Sequence, residues 1–522
     1  MKFNIIKIKT VALVVLIMSG CKNYDTLVVN PNLPTSVPAS LLFTSALNDM
    51  GSDLAWTSAQ EFNQFYISTY TYYGTNNYDQ APFTNSSLNY LTLENVVRME
   101  AEAKKAGAAD INPYAALGKF FRAYYFNLMS QKFGDIPVAD ALEGQLNPTP
   151  KYDTQKEVYV QVLQWLDDSN TMLGQLITNK DASLAGDIYL NNNLASWQKV
   201  VNAFTLRVLI SLSHQSGDTD LDIKQKFSAI LSNPTKYPLM ADNSDNLKFV
   251  YNAAFNPYPK TPGNYLQTNT RENISATILN LTTALNDPRT YVIATPAPAQ
   301  LNAGKTISDF AAYVGASPGD DMSTLGINSQ AGVYSFENAL RYASTNDGSN
   351  AEPAIIIGYP EMCFNIAEGI NLGWFAAGDA ATWYVNGITA SMNFLGIKDN
   401  AVVTIADKSQ NVLGTVTVSL TNYLAQTSVQ YQGNNTAGLN QILTQKYIAF
   451  WQNSGWEAFF NQRRTGMPAF LTGAGTGNNQ KLPLRWQYPF SEASANAANY
   501  KAAVQSQYSG VDNINGKMWL LQ

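Results

Sequence analysis

The chain has 522 residues, of which 45% are hydrophobic, 12% aromatic and only 14% charged. Disorder across the bulk is excluded, because it requires low hydrophobicity and high net charge, and the length allows one large domain or two to three ordinary ones with cores that need no disulfide or metal. The 33 basic and 39 acidic residues leave a net charge of −6, which excludes the phosphate-neutralising surface of a nucleic-acid binder. A single histidine, His214, removes most His-ligated metal sites and most His-based catalysis. The 29 Tyr of this weakly charged chain suit uncharged, hydroxyl-rich ligands better than charge chemistry.

Residues 1–20 read as a signal peptide. Lys2, Lys7 and Lys9 precede the apolar run Val11–Met18, which is far shorter than the roughly 20 residues of a spanning helix and suits a secretory h-region. The run ends in Met18-Ser19-Gly20-Cys21, the small-residue pattern that places Cys21 for lipidation. The alternative is an ordinary secretory signal with an incidental cysteine. Cleavage before Cys21 would take the net charge from −6 to −9. With Cys21 acylated, the only other cysteine, Cys363, has no intrachain partner. Residues 21–40 form a polar tether interrupted by Pro31, Pro34 and Pro38, and residues 41–522 form the folded body.

The body reads as mainly helical. Asn112-Pro113 forms a helix start, Leu117, Phe120, Phe121, Tyr124 and Leu128 follow at helical spacing, and Gly134 closes the element. Thr154 with Glu157 is a capping box ahead of Val158, Val162, Trp165 and Leu166. A third helix runs from about Ser196 towards Gly217. These elements suggest stacked, tetratricopeptide-like helical pairs. Residues 230–355 are rich in Asn, Pro, Gly, Ser and Thr, and read as ordered loops with short helices, the usual carriers of function. Helices resume at Pro360 and near Asp379–Phe394, alternation over 401–418 predicts a small exposed β-hairpin, and a last long helix spans about Leu439–Arg463 with a break near Gly455.

Catalytic and metal motifs are sparse. His214 lies at a helix end, where capping or solvation suits it better than a triad role. Asp218, Asp220 and Asp222 begin like a calcium loop, but Ile223 and Ala229 stand where Gly and Glu are required. A solvated turn explains Asp320-Asp321 better than a calcium ligand, and no cofactor is expected. Gly473, Gly475 and Gly477 lack the following apolar helix of a phosphate cradle. Glu361 and Glu368 share a helix face, where packing explains them better than a glycosidase carboxylate pair.

Two aromatic clusters offer flat faces with amide and carboxylate neighbours, the groups a neutral sugar needs. One, Phe62–Phe83, holds Tyr66, Tyr70, Tyr72, Tyr73, Asn76, Asn77, Tyr78 and Asp79. The other, Tyr251–Asn273, holds Phe255, Tyr258, Asn264, Tyr265, Gln267 and Arg271 within a proline-stiffened stretch, and its Tyr258–Tyr265 portion is the stronger ligand candidate. The bland alternative is that these tyrosines pad the core edge.

Several ordered motifs resemble SusD/RagB-type lipoproteins. They are the Cys21 lipobox, Phe133-Gly134-Asp135-Ile136-Pro137, Tyr152-Asp153-Thr154-Gln155, and Tyr359-Pro360-Glu361-Met362 leading to Ala367-Glu368-Gly369. Tyr384–Ile388 with Ser391, Arg463-Arg464-Thr465-Gly466 and Pro483–Pro489 complete the set. The resemblance implies an all-α fold with tetratricopeptide-like pairs and an irregular ligand-binding half. It also implies a lipid-anchored outer-membrane protein of Bacteroidota that captures a nutrient oligosaccharide for a SusC-like TonB-dependent transporter, without catalysis. Peptide capture by the same architecture, and less so a surface glycosidase, are the alternatives. Two departures stand out: Lys22-Asn23-Tyr24 precede the first acid, Asp25, where surface-exported relatives often carry acids, and Gly369 stands where alanine is commoner, which is expected to affect only local helix stability.

Overall fold

The computed structural model describes residues 36–71, 74–252, 254–260, 271–342 and 351–522. The expected signal, Cys21 and the tether as far as residue 35 lie outside the described residues. In chain order the longer helices are α1 (Ala39–Asp49), α2 (Tyr90–Lys105), α3 (Pro113–Phe133), α4 (Gln155–Thr178), α5 (Leu194–Ser211) and α6 (Ile223–Ser232). They are followed by α7 (Ala276–Ala284), α8 (Met322–Gln330), α9 (Tyr359–Asn371), α10 (Ala380–Phe394), α11 (Thr436–Ala449), α12 (Glu457–Thr465) and α13 (Ala497–Tyr508). The strands are β1 (Tyr66–Ser68), β2 (Leu247–Phe249), β3 (Glu272–Ile274), β4 (Ala354–Ile357), β5 (Ala401–Ala406) and β6 (Val412–Val418). The all-α reading therefore holds, with consecutive helices packing in pairs: α1 on α2, α3 on α4, α4 on α5 and α9 on α10.

The local signals act as their chemistry requires. The Asn112 side chain accepts from the Ala115 N–H at the start of α3, and Gly134 ends it at φ 94°. Thr154 and Glu157 form a reciprocal capping box on α4. The inward faces of α1, α3 and α5 meet in a layer of Phe43, Phe120, Phe121, Trp197 and Phe204, with Phe120 5.7 Å from Trp197 and 5.8 Å from Phe204. Burying each such ring stabilises the fold by about 2–3 kcal/mol.

A charged layer lies beneath the helix pairs. Arg207 of α5 donates to both carboxylate oxygens of Glu361 on α9, with Nε 2.6 Å from Oε1, and to the Ile356 carbonyl of β4 at 2.7 Å. Glu368, two turns along α9, accepts from Arg464 of α12 at 2.6 Å and from Lys446 of α11 at 3.4 Å. Both carboxylates are thus consumed by packing. Arg485 is fully buried, with its guanidinium 4.7 Å from the Tyr488 ring and 4.1 Å from that of Tyr508.

Several elements differ from expectation. The break read near Gly455 within 439–463 is present but longer than a kink: a full loop separates α11 from α12, and in it Gln452, Ser454 and Gly455 take left-handed φ values of 56°, 58° and 57°. The loop is pinned to β4 by Ser454 N–H to the Ile355 carbonyl (2.7 Å) and Ile355 N–H to Asn453 Oδ1 (2.8 Å). A further helix, α13, follows it; its Ala/Gln/Ser-rich sequence shows no clear apolar stripe. α5 ends at Ser211 instead of reaching Gly217, and His214 sits in a following 3-10 turn, Ser213–Gln215. The hairpin β5–β6 forms as read. Gly369 is a packing requirement and not merely a helix-propensity matter: a Cβ there would lie 2.2 Å from the buried Phe227 ring.

Burial pushes the carboxyls of Glu61, Asp135 and Glu457 up to about 7. Each therefore holds a proton in the folded chain that the unfolded chain releases above about pH 4.5. Stability from these groups is greatest at low pH and is lost as pH rises through about 7. The depressed carboxyls of Glu368 and Asp399 weaken the fold only near pH 4 and below. The melting temperature is expected to be higher at pH 5.5 than at pH 8; a rise between those values would contradict this assignment.

Candidate functional site

The two aromatic clusters, about two hundred residues apart in sequence, meet in space. β1 and β3 pair antiparallel, with Tyr66 opposite Ile274, Ile67 opposite Asn273 and Ser68 opposite Glu272. Thr69 N–H extends the ladder to the Arg271 carbonyl at 2.6 Å, and Ser275 N–H closes the other end on the Phe65 carbonyl at 3.0 Å. Tyr70 and Arg271 thereby emerge together: the guanidinium carbon lies 6.0 Å from the Tyr70 ring, and Tyr70 is 48% exposed.

Glu272, next to Arg271 on β3, accepts from the buried Lys260, whose Nζ lies 2.8 Å from Glu272 Oε2 and also bonds Glu337. The same ammonium lies 4.0 Å from the centre of the Trp56 ring and 5.7 Å from that of Tyr66, a desolvated cation against two aromatic faces. Trp56 is only partly buried and takes a left-handed φ of 61°, held by its N–H to Gln452 Oε1 at 2.7 Å. Its ring meets Tyr342 edge-on at 5.0 Å and Trp451 at 5.9 Å. A bulky residue in that backbone region persists only where its surroundings over-determine it, which makes Trp56 the most deliberately placed ring on this face.

The individual expectations divide. Tyr258 is 3% exposed, with its oxygen accepting from Trp56 Nε1 at 2.6 Å and its ring edge-on to Tyr251 at 5.0 Å. Burial pushes its phenol well above the ordinary value. It orients Trp56 from inside and is not a surface contact, which corrects the reading of it as a ligand residue. Asn76 is also internal: Oδ1 accepts from the Ser68 N–H at 3.0 Å and Nδ2 donates to the Ser68 carbonyl at 2.9 Å, tying the returning chain to β1. Tyr78 is buried, donates to the Phe62 carbonyl at 2.9 Å and packs on Phe62 and Phe83, so it too belongs to the core. Tyr72, Tyr73, Asn264 and Tyr265 lie outside the described residues. Of the expected set, Tyr70 and Arg271 remain as surface groups.

Trp56, Lys260 and the acids Glu61, Glu272 and Glu337 were not singled out in the sequence. Trp56 stands in a turn without periodic neighbours, and nothing in sequence marks Lys260 as buried. Among the described residues, no group of three His, Cys, Asp or Glu side chains is arranged to hold a metal ion. Asp321 caps α8 by accepting from the Ser323 and Thr324 N–H groups, and Asp218 and Asp220 both bind Lys156. His214 Nε2 bonds the Arg464 carbonyl at 2.9 Å. This face therefore offers a partly open indole, a phenol and a guanidinium, a set suited to gripping a ligand.

The profile of a family described as starch-binding and associating with the outer membrane matches residues 31–489. The chain belongs to this SusD-like family. A SusD homologue of known structure from Bacteroides fragilis NCTC 9343 is 30% identical, with a TM-score of 0.80 over 93% of this chain and 100% of that one. An outer membrane protein from Bacteroides vulgatus ATCC 8482, linked in its description to nutrient binding, is 29% identical with a TM-score of 0.78 over 93% and 100%. A chitin-binding SusD homologue from Flavobacterium johnsoniae shares the fold at 20% identity and a TM-score of 0.69 over 93% and 98%. No protein of curated function matches the sequence. The SusD-like family comprises outer-membrane nutrient- and glycan-binding proteins, and this chain is a binding protein and not an enzyme.

The placements predict opposite behaviour for two tyrosines. Tyr258→Ala should cost about 3–5 kcal/mol, through a cavity and an orphaned Trp56 N–H. Tyr70→Ala should leave the melting temperature within about 1–2 °C. Equal melting temperatures for the two variants would return Tyr258 to the surface.

Proposed function

We propose that the protein is a lipid-anchored outer-membrane receptor that binds a nutrient oligosaccharide at the Trp56–Tyr70–Arg271 face and passes it to a SusC-like TonB-dependent transporter. The observation that carries the reading is the β1–β3 ladder. It sets the Tyr70 ring and the Arg271 guanidinium side by side, next to Glu272, which is held by the buried Lys260. Sugar rings present C–H faces to aromatic side chains and hydroxyls to charged and amide groups, and this face supplies both. The chitin-binding relative supports a glycan as the ligand class.

Anchoring would follow cleavage of residues 1–20 and acylation of Cys21, with a tether that ends before α1, which begins at Ala39 inside the residue 40 limit read from sequence, and the binding body from α1 onwards. No helix of the described residues is long and apolar enough to cross a membrane, which is compatible with attachment through lipid. The paired helices α1–α5 would supply the rigid surface towards the transporter, leaving the loop-rich side for ligand. Cys21→Ser is the direct test of the anchor, because it would release the protein from the membrane fraction.

Calorimetric titration with neutral oligosaccharides and with oligopeptides tests the ligand class, with the ligands recovered and checked for products. A glycan is expected to bind and return intact. Tyr70→Ala should then weaken it about threefold to tenfold at unchanged stability. Binding of peptides alone would move the assignment to peptide uptake, and cleaved product would overturn the capture reading.

A further inference from the structure

A groove that shares no lining residue with this face lies between the 3-10 turn that follows α5, the end of α9, the start of α11 and the end of α12. Its volume is 510 Å³, within the range of small-ligand sites. Trp374, Leu439 and Leu443 give it an apolar floor, and Lys224 and His214 stand exposed on its rim. Arg464 lines its base with the side chain only 6% exposed.

The charge balance of this groove differs from that of the molecule. Glu368 is the one carboxylate lining it, and both oxygens are taken, by Arg464 at 2.6 Å and Lys446 at 3.4 Å. Arg464 is further fixed by Ser213 Oγ at 3.0 Å and Asn461 Oδ1 at 2.9 Å, so the base is rigid. Lys224 has no carboxylate within ion-pair distance among the described residues. His214 spends Nε2–H on the Arg464 carbonyl at 2.9 Å, which leaves Nδ1 as the nitrogen able to meet a ligand, a second donor when the ring is protonated. By contrast, the groove between α4, α5 and α6 carries Asp167 and Asp220 against Lys226. Among the described residues lining this groove, in a chain of net charge −6, cations outnumber available acids, over a floor that can take an apolar or C–H-rich body.

We propose that this groove is a second binding site, for a compact ligand carrying a carboxylate: the acid lies against Lys224 and His214, and its body covers Trp374 and Leu439. The same chemistry is presented by a hexuronic acid residue of a glycan and by the free C-terminus of a peptide. The site is independent of the glycan face proposed above.

Ligand-observed NMR and calorimetry on the full-length protein would compare glucuronate oligomers with neutral glucose oligomers, and a short peptide with its C-terminal amide. Inorganic phosphate serves as a bare anion. The proposal expects one carboxylate-bearing probe to bind and its uncharged counterpart not to. Lys224→Glu should weaken binding at least about tenfold, and His214→Gln to a smaller extent; both residues are exposed, so melting temperatures should hold. Tyr70→Ala should leave this binding intact, which separates failure here from failure of the glycan assignment. Uronate binding alone names an acidic sugar, and peptide binding alone names a C-terminus. Equal binding of charged and uncharged probes, phosphate binding with the same Lys224 dependence, indifference to Lys224→Glu, or no binding at millimolar concentration would each overturn the proposal.

Discussion

The rest of the structure depends on the bidentate pair between Arg207 and Glu361. Two charges removed from water are tolerated only when their hydrogen bonds are nearly complete. Here the guanidinium also bonds the Ile356 carbonyl, and Ser454 Oγ reaches Glu361 at 3.4 Å. One ion pair thus joins the paired helices of the first half to α9, to β4 and to the loop between α11 and α12. That loop carries Gln452, whose side chain accepts the Trp56 N–H. The position of the indole on the proposed ligand face is therefore set through a continuous chain of contacts that begins in the charged core.

This arrangement explains why the motifs shared with the SusD-like family are mostly internal. Glu361, Glu368, Arg464 and Arg485 each pair inside the molecule, so they specify which helices meet and not what is bound. The ligand face is assembled from two short strands whose pairing partners are about two hundred residues apart. Its supports are a strained tryptophan and a buried lysine.

Helix-local information was largely legible in the sequence. Asn112-Pro113, the Thr154–Glu157 box and Gly134 are read within a few residues of where they act, so the elements and their pairing could be argued before any coordinates. Long-range information was not. Tyr258 and Tyr70 look alike within their separate Tyr-rich stretches, yet one supports Trp56 from below and the other meets solvent, because burial is decided by partners distant in the chain. Gly455 marks the break between α11 and α12 in the sequence, but the length of the loop is not legible, because its left-handed residues include Gln452 and Ser454, which carry no turn signal of their own. Gly369 appeared to be a matter of helix propensity until Phe227, more than a hundred residues earlier, was found against it.

The central claim is that a ligand is gripped where β1 and β3 meet. Hydrogen exchange of backbone amides, measured with and without a bound oligosaccharide, tests it most directly. The account predicts ligand-dependent protection at residues 66–71 and 271–274 and around Trp56, with α3 and α4 unchanged. Protection confined to the helical pairs, with the β1–β3 ladder exchanging as in the free protein, would contradict it.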